Sequence, residues 1–156
     1  MADPIGIWVA AQHHKAFLNG GWAYVRVGAE VTGWAGGDRR TTRTRMALSG
    51  LAAALADLPK GAALRVETAA EDAKLLDGVF VEPADPPTDD LDLRAAIAGL
   101  LKGHEARLAV MSVQPRTPLA FAIAWADQAA DKAKMTGAFR VAIPRPNLAK
   151  SGAAAS

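Results

Sequence analysis

The fold of this chain is decided by one stretch, Gly36-Gly37-Asp38-Arg39-Arg40-Thr41-Thr42-Arg43-Thr44-Arg45-Met46-Ala47-Leu48. Two glycines end an extended segment, and the threonine pair offers hydroxyls to the free N–H groups at the start of a helix. Leucines then recur at helical spacing until Pro59 ends the helix, at Leu48, Leu51, Leu55 and Leu58. The stretch therefore predicts a strand end, a basic turn and an amphipathic helix.

Three strands are predicted before this stretch. Residues 5–12 alternate between two sides of a strand, with Ile5, Ile7 and Val9 on one side and Trp8, Ala10 and Gln12 on the other. Residues 21–27 and 31–35 are the second and third predicted strands. The short turn at residues 28–30 predicts a hairpin between the last two strands.

Strands and helices alternate after the stretch. The spacing of apolar residues predicts strands over residues 64–68 and 107–113. It predicts helices over residues 71–76, 91–102 and 119–135, and residues 139–143 allow a short extra strand. Three antiparallel strands followed by crossover-connected parallel strands predict an α/β domain with a mixed five-stranded sheet and helices on both faces. We expect this domain to cover residues 1–143 and residues 144–156 to form a C-terminal tail.

Composition narrows the class of protein. The chain has 156 residues, of which 51% are apolar, and a net charge of only +2. A disordered chain is therefore excluded, and any nucleic-acid binding must come from a local patch. The absence of cysteine excludes disulfides and thiolate metal sites. No apolar run approaches the roughly 20 residues of a membrane helix, and no basic segment precedes an apolar core at the N-terminus, so we expect a cytoplasmic protein.

Two segments resemble the ribonuclease H family of the bacterial and eukaryotic type. Gly20-Gly21-Trp22-Ala23-Tyr24 resembles the family's glycine-glycine-aromatic strand. The family also has a GG-x-x-TT-N-N-R-M-E-L segment, which Thr41-Thr42, Arg45-Met46 and Leu48 match. The resemblance covers roughly residues 5–135 and implies the family's fold. Members of the family cut the RNA strand of RNA–DNA hybrids with two divalent metals.

The family holds those metals with four carboxylates, and this chain lacks three of them. The resemblance places the missing carboxylates at Ala10, Ala47 and Ala69, and the remaining one at Asp131. Two metals about 4 Å apart carry four positive charges and need several oxygen ligands, which one carboxylate does not supply. The resemblance therefore implies a degenerate, catalytically inactive member with no metal or other cofactor. We expect the three alanines to surround an uncharged hollow, with Asp131 alone beside it.

The basic turn is the candidate binding site. Its arginines are suited to phosphate, and the resemblance implies that the positions of Thr42, Arg43 and Thr44 face a nucleic-acid backbone. The candidate residues are Arg39, Arg40, Thr42, Arg43 and Thr44. We expect a module that binds RNA–DNA hybrid or duplex by its backbone and shape. The alternative is a solvated turn with Arg45 in a structural ion pair.

Other functions stay open at this point. A protein-interaction or scaffolding domain would use the edge of the third strand or the acidic, proline-rich residues 80–90. A nuclease with a rebuilt site would use Glu67, with Glu71 and Asp72 beyond it, although an ion pair between Glu67 and Arg65 is the simpler interpretation.

Three side-chain types have both a functional and a structural interpretation. Asp131 is a residual metal ligand or an exposed helix carboxylate one turn from Asp127. The adjacent His13 and His14 lack an evident third ligand, which favours loop surface. Trp34 is the best candidate for an exposed base-stacking platform among the four tryptophans.

Overall fold

A computed structural model describes residues 3–154. Its strands are β1 (Ile5–His14), β2 (Asn19–Val27), β3 (Val31–Asp38), β4 (Leu64–Thr68), β5 (Ala106–Val110) and β6 (Phe139–Ala142). Its helices are α1 (Arg43–Ala54), α2 (Ala70–Phe80), α3 (Leu91–Leu101), α4 (Pro118–Thr136) and α5 (Arg145–Leu148).

The strands form one mixed sheet in the order β5-β4-β1-β2-β3-β6. The first three strands are antiparallel neighbours, whereas β4 lies parallel to β1 and β5 lies parallel to β4. The predicted α/β class and the direction of all five strands are confirmed. The sheet has six strands rather than five, because β6 pairs antiparallel with β3 from Trp34 to Gly37.

The helices cover the two faces of the sheet with different side chains. On one face, α1 contributes the large leucines Leu48 and Leu51, which are fully buried with Ile7 and Val66 of the sheet. On the other face, the buried side chains of α4 are mostly alanines, Ala122, Ala126, Ala129, Ala130 and Ala133. The alanine face lets α4 lie unusually close to β2.

Gly21 marks the closest approach of α4 to the sheet. A Cβ atom built there would lie 2.5 Å from the backbone nitrogen of Ala130 and would also collide with the carbonyl oxygen of Ala126. Only a glycine fits between strand and helix backbones at this distance.

Two helix ends differ from the sequence prediction. Helix α1 ends at Ala54 rather than near residue 58, because Leu55 forms its C-cap and Asp57 takes a left-handed conformation with φ of 56°. Helix α2 continues through Asp77-Gly78 to Phe80, since a single glycine is tolerated inside a helix at modest cost.

Within residues 144–154, helix α5 packs against β3, in contrast to the tail expected from the sequence. Leu148 of α5 and Ser151 are buried, and Leu148 joins Ile143 in the core beneath α4. The missing side chain of Gly33 on β3 leaves room for both Ile143 and Leu148. The described part of this segment therefore completes the domain.

Candidate functional site

An ion-pair cluster occupies the region between α1, β1 and α2. Arg43 donates from Nε to Oδ1 of Asp72 at 2.9 Å, and its Nη1 lies 3.0 Å from Oε2 of Glu71. The same guanidinium donates to the carbonyl of Ala11 at 3.1 Å, and the Ala11 N–H donates to Oδ2 of Asp72 at 3.1 Å. One arginine therefore ties the first turn of α1 to β1 and to the first turn of α2.

Asp72 is buried, with only 2% of its surface exposed. Burial raises the pKa of this carboxyl, while the hydrogen bond and charge of Arg43 and the N–H of Ala11 act to lower it. The carboxylate accepts hydrogen bonds on both oxygens, so its negative charge is compensated inside the protein.

The three alanine positions do not surround one hollow. Ala10 lies in the core beneath α4, whereas Ala47 lies in the core beneath α1 together with Ala11. Successive residues of a strand point to opposite faces, so Ala11 shares a sheet face with Ala47 and Ala10 does not. Ala69, the N-cap residue of α2, is half-buried and makes no side-chain cap. Arg43, Glu71 and Asp72 bring charge to the region that we expected to be uncharged.

Asp131 has neighbours, contrary to the expectation that it lies alone. Its Oδ1 is 3.5 Å from Nδ1 of His14, and Nε2 of His14 donates to Oδ1 of Asp127 at 2.8 Å. His14 therefore bridges β1 to two exposed carboxylates one turn apart on α4. His13 instead donates to the carbonyl of Thr41 at 2.8 Å.

Glu67 forms an ion pair with Arg65 at 3.2 Å, as the simpler interpretation of the sequence has it. Across residues 3–154, no group of three or more His, Cys, Asp or Glu side chains is arranged to hold a metal ion. Within this part of the chain, the three alanine side chains offer no ligand atom to a metal, and the carboxylates of Glu71 and Asp72 pair with Arg43.

Several side chains of the basic turn make hydrogen bonds within the protein. Arg39 donates to the last carbonyls of α4, those of Lys134 and Met135, at 3.2 and 2.8 Å. The Thr42 hydroxyl caps α1 by accepting from the Arg45 N–H at 3.0 Å. With Arg43 also engaged, Arg40 is the exposed arginine of the predicted site whose side chain makes no hydrogen bond or ion pair within residues 3–154. Thr44 is half-buried beside the acidic segment.

The acidic segment folds back onto α1. Arg45 forms ion pairs with Asp90 at 3.0 Å and with Asp92 at 2.9 Å. Hydrogen bonds to these two carboxylates raise the pKa of Arg45, and the bond from Arg45 lowers the pKa of Asp92. The expected alternative of a structural ion pair for Arg45 is therefore present.

A second surface, which we call the basic tip, lies at the far end of the β1–β2 hairpin. It comprises Lys15, Phe17, Leu18, Arg40, Lys134 and Met135. The Lys134 ammonium lies 3.7 Å from the centroid of the Phe17 ring, and the Thr41 N–H donates to the Leu18 carbonyl at 2.9 Å. The contact of Arg39 with the Met135 carbonyl brings the end of α4 to the same place.

Two left-handed residues and two unpaired polar atoms lie beneath the basic tip, although Asp57, Asp90 and Arg116 are also left-handed elsewhere in the described chain. Leu18 and Arg40 have φ of 58° and 48°, a conformation that costs a non-glycine residue about 1 kcal/mol or more. The residues that follow them, Asn19 and Thr41, have buried side-chain oxygens without a hydrogen-bond partner among the described residues. Such costs are typical of functional sites.

The tryptophans do not form an open platform. Trp22 is buried, and Trp34 is half-buried on β3 with the guanidinium of Arg140 5.1 Å from its ring centroid. The exposed aromatic residue is Phe17, at 62% exposure. Its position in a short turn between two strands, after Lys15, is the sequence signal that could have identified it.

Solved structures with a similar fold are ribonuclease H proteins. The N-terminal RNase H domain of a Mycobacterium tuberculosis protein, solved as a fusion with maltose-binding protein, matches with a TM-score of 0.67 and 18% identity over 85% of this chain and 97% of that one. RNase H1 from the halophilic archaeon Halobacterium salinarum matches with a TM-score of 0.58 and 23% identity over 84% of this chain and 100% of that one. The ribonuclease H-like fold is thereby confirmed.

Sequence comparison adds no closer relation. No protein-family model and no curated protein sequence matches the chain. No helix within residues 3–154 is both long and apolar enough to cross a membrane.

Proposed function

We propose that this chain is a ribonuclease H-like domain that binds nucleic acid through backbone contacts and does not cleave it by two-metal hydrolysis. The observation that carries the proposal is the position of Arg43. Its guanidinium lies among Asp72, Glu71 and the Ala11 carbonyl, so a fixed positive charge satisfies the carboxylates that a divalent metal would otherwise need.

The positive charge of Arg43 opposes the binding of two divalent metal ions. Two divalent ions beside a guanidinium would experience strong repulsion at short range, because charges inside a protein are poorly screened. Asp72 is already satisfied on both oxygens, and Asp131 is shared with His14 on the other side of β1. Asp72 is therefore not free to act as one of several metal ligands, and Asp131 lies apart from it.

Positive charge at one end of the sheet favours nucleic acid as the ligand. Lys15, Arg40 and Lys134 form no ion pair with another described residue, and all three are exposed. A net charge of +2 gives no general attraction, but a local cluster of cations neutralises phosphates and releases counterions. The neighbours by fold are named as RNase H proteins, which is consistent with a nucleic-acid ligand.

The internal contacts leave only part of the predicted basic turn for the proposed interface. Acidic groups neutralise Arg43 and Arg45. The residues of the predicted site that remain available to contact a nucleic-acid backbone are therefore Arg39, Arg40, Thr42 and Thr44. No base-reading motif accompanies them, and recognition by backbone and shape is therefore expected. With few phosphates contacted, we expect micromolar affinity at physiological salt.

The test is a fluorescence anisotropy titration against hybrid, duplex and single-stranded oligonucleotides, with and without magnesium. The variant Lys15→Ala/Arg40→Ala should weaken binding and flatten the log–log salt slope by about 2, since each phosphate contact contributes about −0.9 on duplex DNA. Its matched control, Lys60→Ala/Lys102→Ala, removes the same charge from the opposite end of the sheet and should change neither. Absence of wild-type binding at low salt would overturn the proposal.

A protein-interaction domain is the second candidate. The edge of β3 is not free for it, because β6 pairs there. The favouring observation is instead on and beyond the outer strand β5, where Val110, Met111 and Val113 are 60%, 41% and 49% exposed. Exposed apolar residues grouped on a sheet edge are typical of strand-pairing partners.

A further inference from the structure

We propose that the basic tip is a site for unpaired nucleotides, in which Phe17 stacks on a base while the neighbouring cations hold its phosphates. This inference rests on the proposed nucleic-acid binding and specifies the form of nucleic acid that is preferred. It concerns the β1–β2 turn and the end of α4.

The apolar part of the site is unusually exposed. Phe17, Leu18 and Met135 are 62%, 51% and 77% exposed. The carbonyl of Leu18 accepts from the Thr41 N–H, and that of Met135 accepts from Arg39, so both residues are held by the turn that begins α1. Leu18 and Met135 are therefore presented by hydrogen-bonded backbone, and Phe17 directly precedes Leu18 in the turn.

The charged part of the site is interleaved with the apolar part. Lys134 lies over the Phe17 ring with its ammonium 3.7 Å from the centroid, while Lys15 is two residues before it and Arg40 lies next to Thr41. A cation against one side of an aromatic ring leaves the ring available for stacking elsewhere, and it places positive charge where the phosphate of a stacked nucleotide would lie.

This combination favours single-stranded over double-stranded nucleic acid. In a duplex the base faces are already stacked and hydrogen-bonded, so an exposed phenylalanine finds no partner without unstacking them. In a single strand every base offers a π-face, and contact with an aromatic side chain is sequence-tolerant. A single-stranded segment beside a duplex would place phosphates against the cations and an unpaired base against the Phe17 ring.

The surrounding backbone supports a site that is built rather than incidental. Leu18 and Arg40 hold left-handed conformations, and the Asn19 and Thr41 oxygens next to them are buried and unpaired within the described chain. These unfavourable features converge on the two turns that carry Phe17 and Arg40.

The experiment compares an unstructured pyrimidine single strand with a blunt duplex of equal length, by anisotropy at fixed salt. Phe17→Ala should weaken single-strand binding by about 5- to 100-fold and duplex binding by less than about twofold. Phe17→Trp should retain single-strand affinity, since stacking is preserved. Leu91→Ala, which removes another exposed apolar side chain from α3, is the matched control and should have no effect.

Three results would overturn the inference. If Phe17→Ala weakens the binding of single strand and of duplex equally, or leaves both unchanged, the ring does not stack on bases. The proposed nucleic-acid binding itself then stands. If wild-type protein binds no oligonucleotide, the proposed function fails as well. If Phe17-dependent binding is found only with vesicles containing an anionic phospholipid, the tip is a membrane-surface site instead.

Discussion

Arg43 Nε donates to Oδ1 of Asp72 across 2.9 Å, and this pair joins the first turn of α1 to the first turn of α2. Arg43 is 30% exposed and Asp72 only 2%. The pair thus links two helices through a carboxylate that water scarcely reaches.

Replacing Arg43 with Met should destabilise the protein by about 3 kcal/mol at neutral pH, because it leaves Asp72 buried without its counter-charge. Urea unfolding followed by circular dichroism measures this free energy. Arg107→Met on the exposed outer strand is the control and should change it by less than about 0.5 kcal/mol. A loss of equal size in both variants would contradict a special role for the pair.

The pH dependence of that loss has a definite sign. The pKa of Asp72 is raised in the folded state by burial, so between about 3.9 and the raised value the folded protein binds more protons than the unfolded chain. The free energy of unfolding therefore falls as pH rises through this interval. Removing Arg43 should extend the interval upward, so Arg43→Met should be closest to wild type in acid. Arg43→Met/Asp72→Asn should lose this extra pH dependence.

No divalent metal should bind tightly, and no RNA–DNA hybrid should be cut. Calorimetry with magnesium and manganese should give no saturable heat at micromolar protein, because Arg43 neutralises the carboxylates between α1 and α2. Manganese-dependent cleavage that disappears in Asp131→Ala or Glu67→Ala would contradict this prediction and establish a rebuilt active site.

Gly21→Ala should be strongly destabilising, by about 3 kcal/mol. The new methyl group would lie 2.5 Å from the Ala130 nitrogen, and backbone on both sides leaves no flexible side chain to move. Gly99→Ala is the matched control, since nothing lies within 4 Å of that site in α3. It should stabilise the protein by about 0.5–1 kcal/mol through helix propensity. Thermal or urea unfolding distinguishes the two variants.

Arg45→Met should release the acidic segment from α1. Cleavage of the Thr88–Asp89 bond by a protease that cuts on the N-terminal side of aspartate should become faster, because Asp89 is exposed and lies beside the released segment. Global unfolding by urea should change little, because release returns Asp90 to water and the Arg45–Asp92 pair is already exposed. The lowered pKa of Asp92 means that the attachment is present above about 3.9 and is lost as pH falls through the lowered value. Unchanged cleavage would show that Arg45 does not hold the segment.

The strand order was accessible from the sequence because it follows from local patterns and connection rules. The Thr42 cap and the glycine-aromatic pattern of β2 each depend on residues that are close together in the sequence, so both could be recognised from it. The position of Ala10 beneath α4 was not accessible, because the alternation along β1 separates its two faces but does not say which helix covers each of them. The Arg43–Asp72 pair joins residues 29 positions apart, and no local signal reports such a contact. The position of Leu148 in the core was missed for the same reason.

The alanine face of α4 has a consequence for how the protein is made. This helix covers the side of the sheet formed by Ala10, Ala23, Val25 and Ala35 of β1, β2 and β3, yet it follows these three strands, and also β4 and β5, in the chain. A chain emerging from the ribosome can pair its hairpins and dock α1 before α4 exists. During that interval one complete face of the sheet is bare, so translation speed through residues 118–136 sets how long a nascent chain presents an apolar surface to chaperones or to other nascent chains.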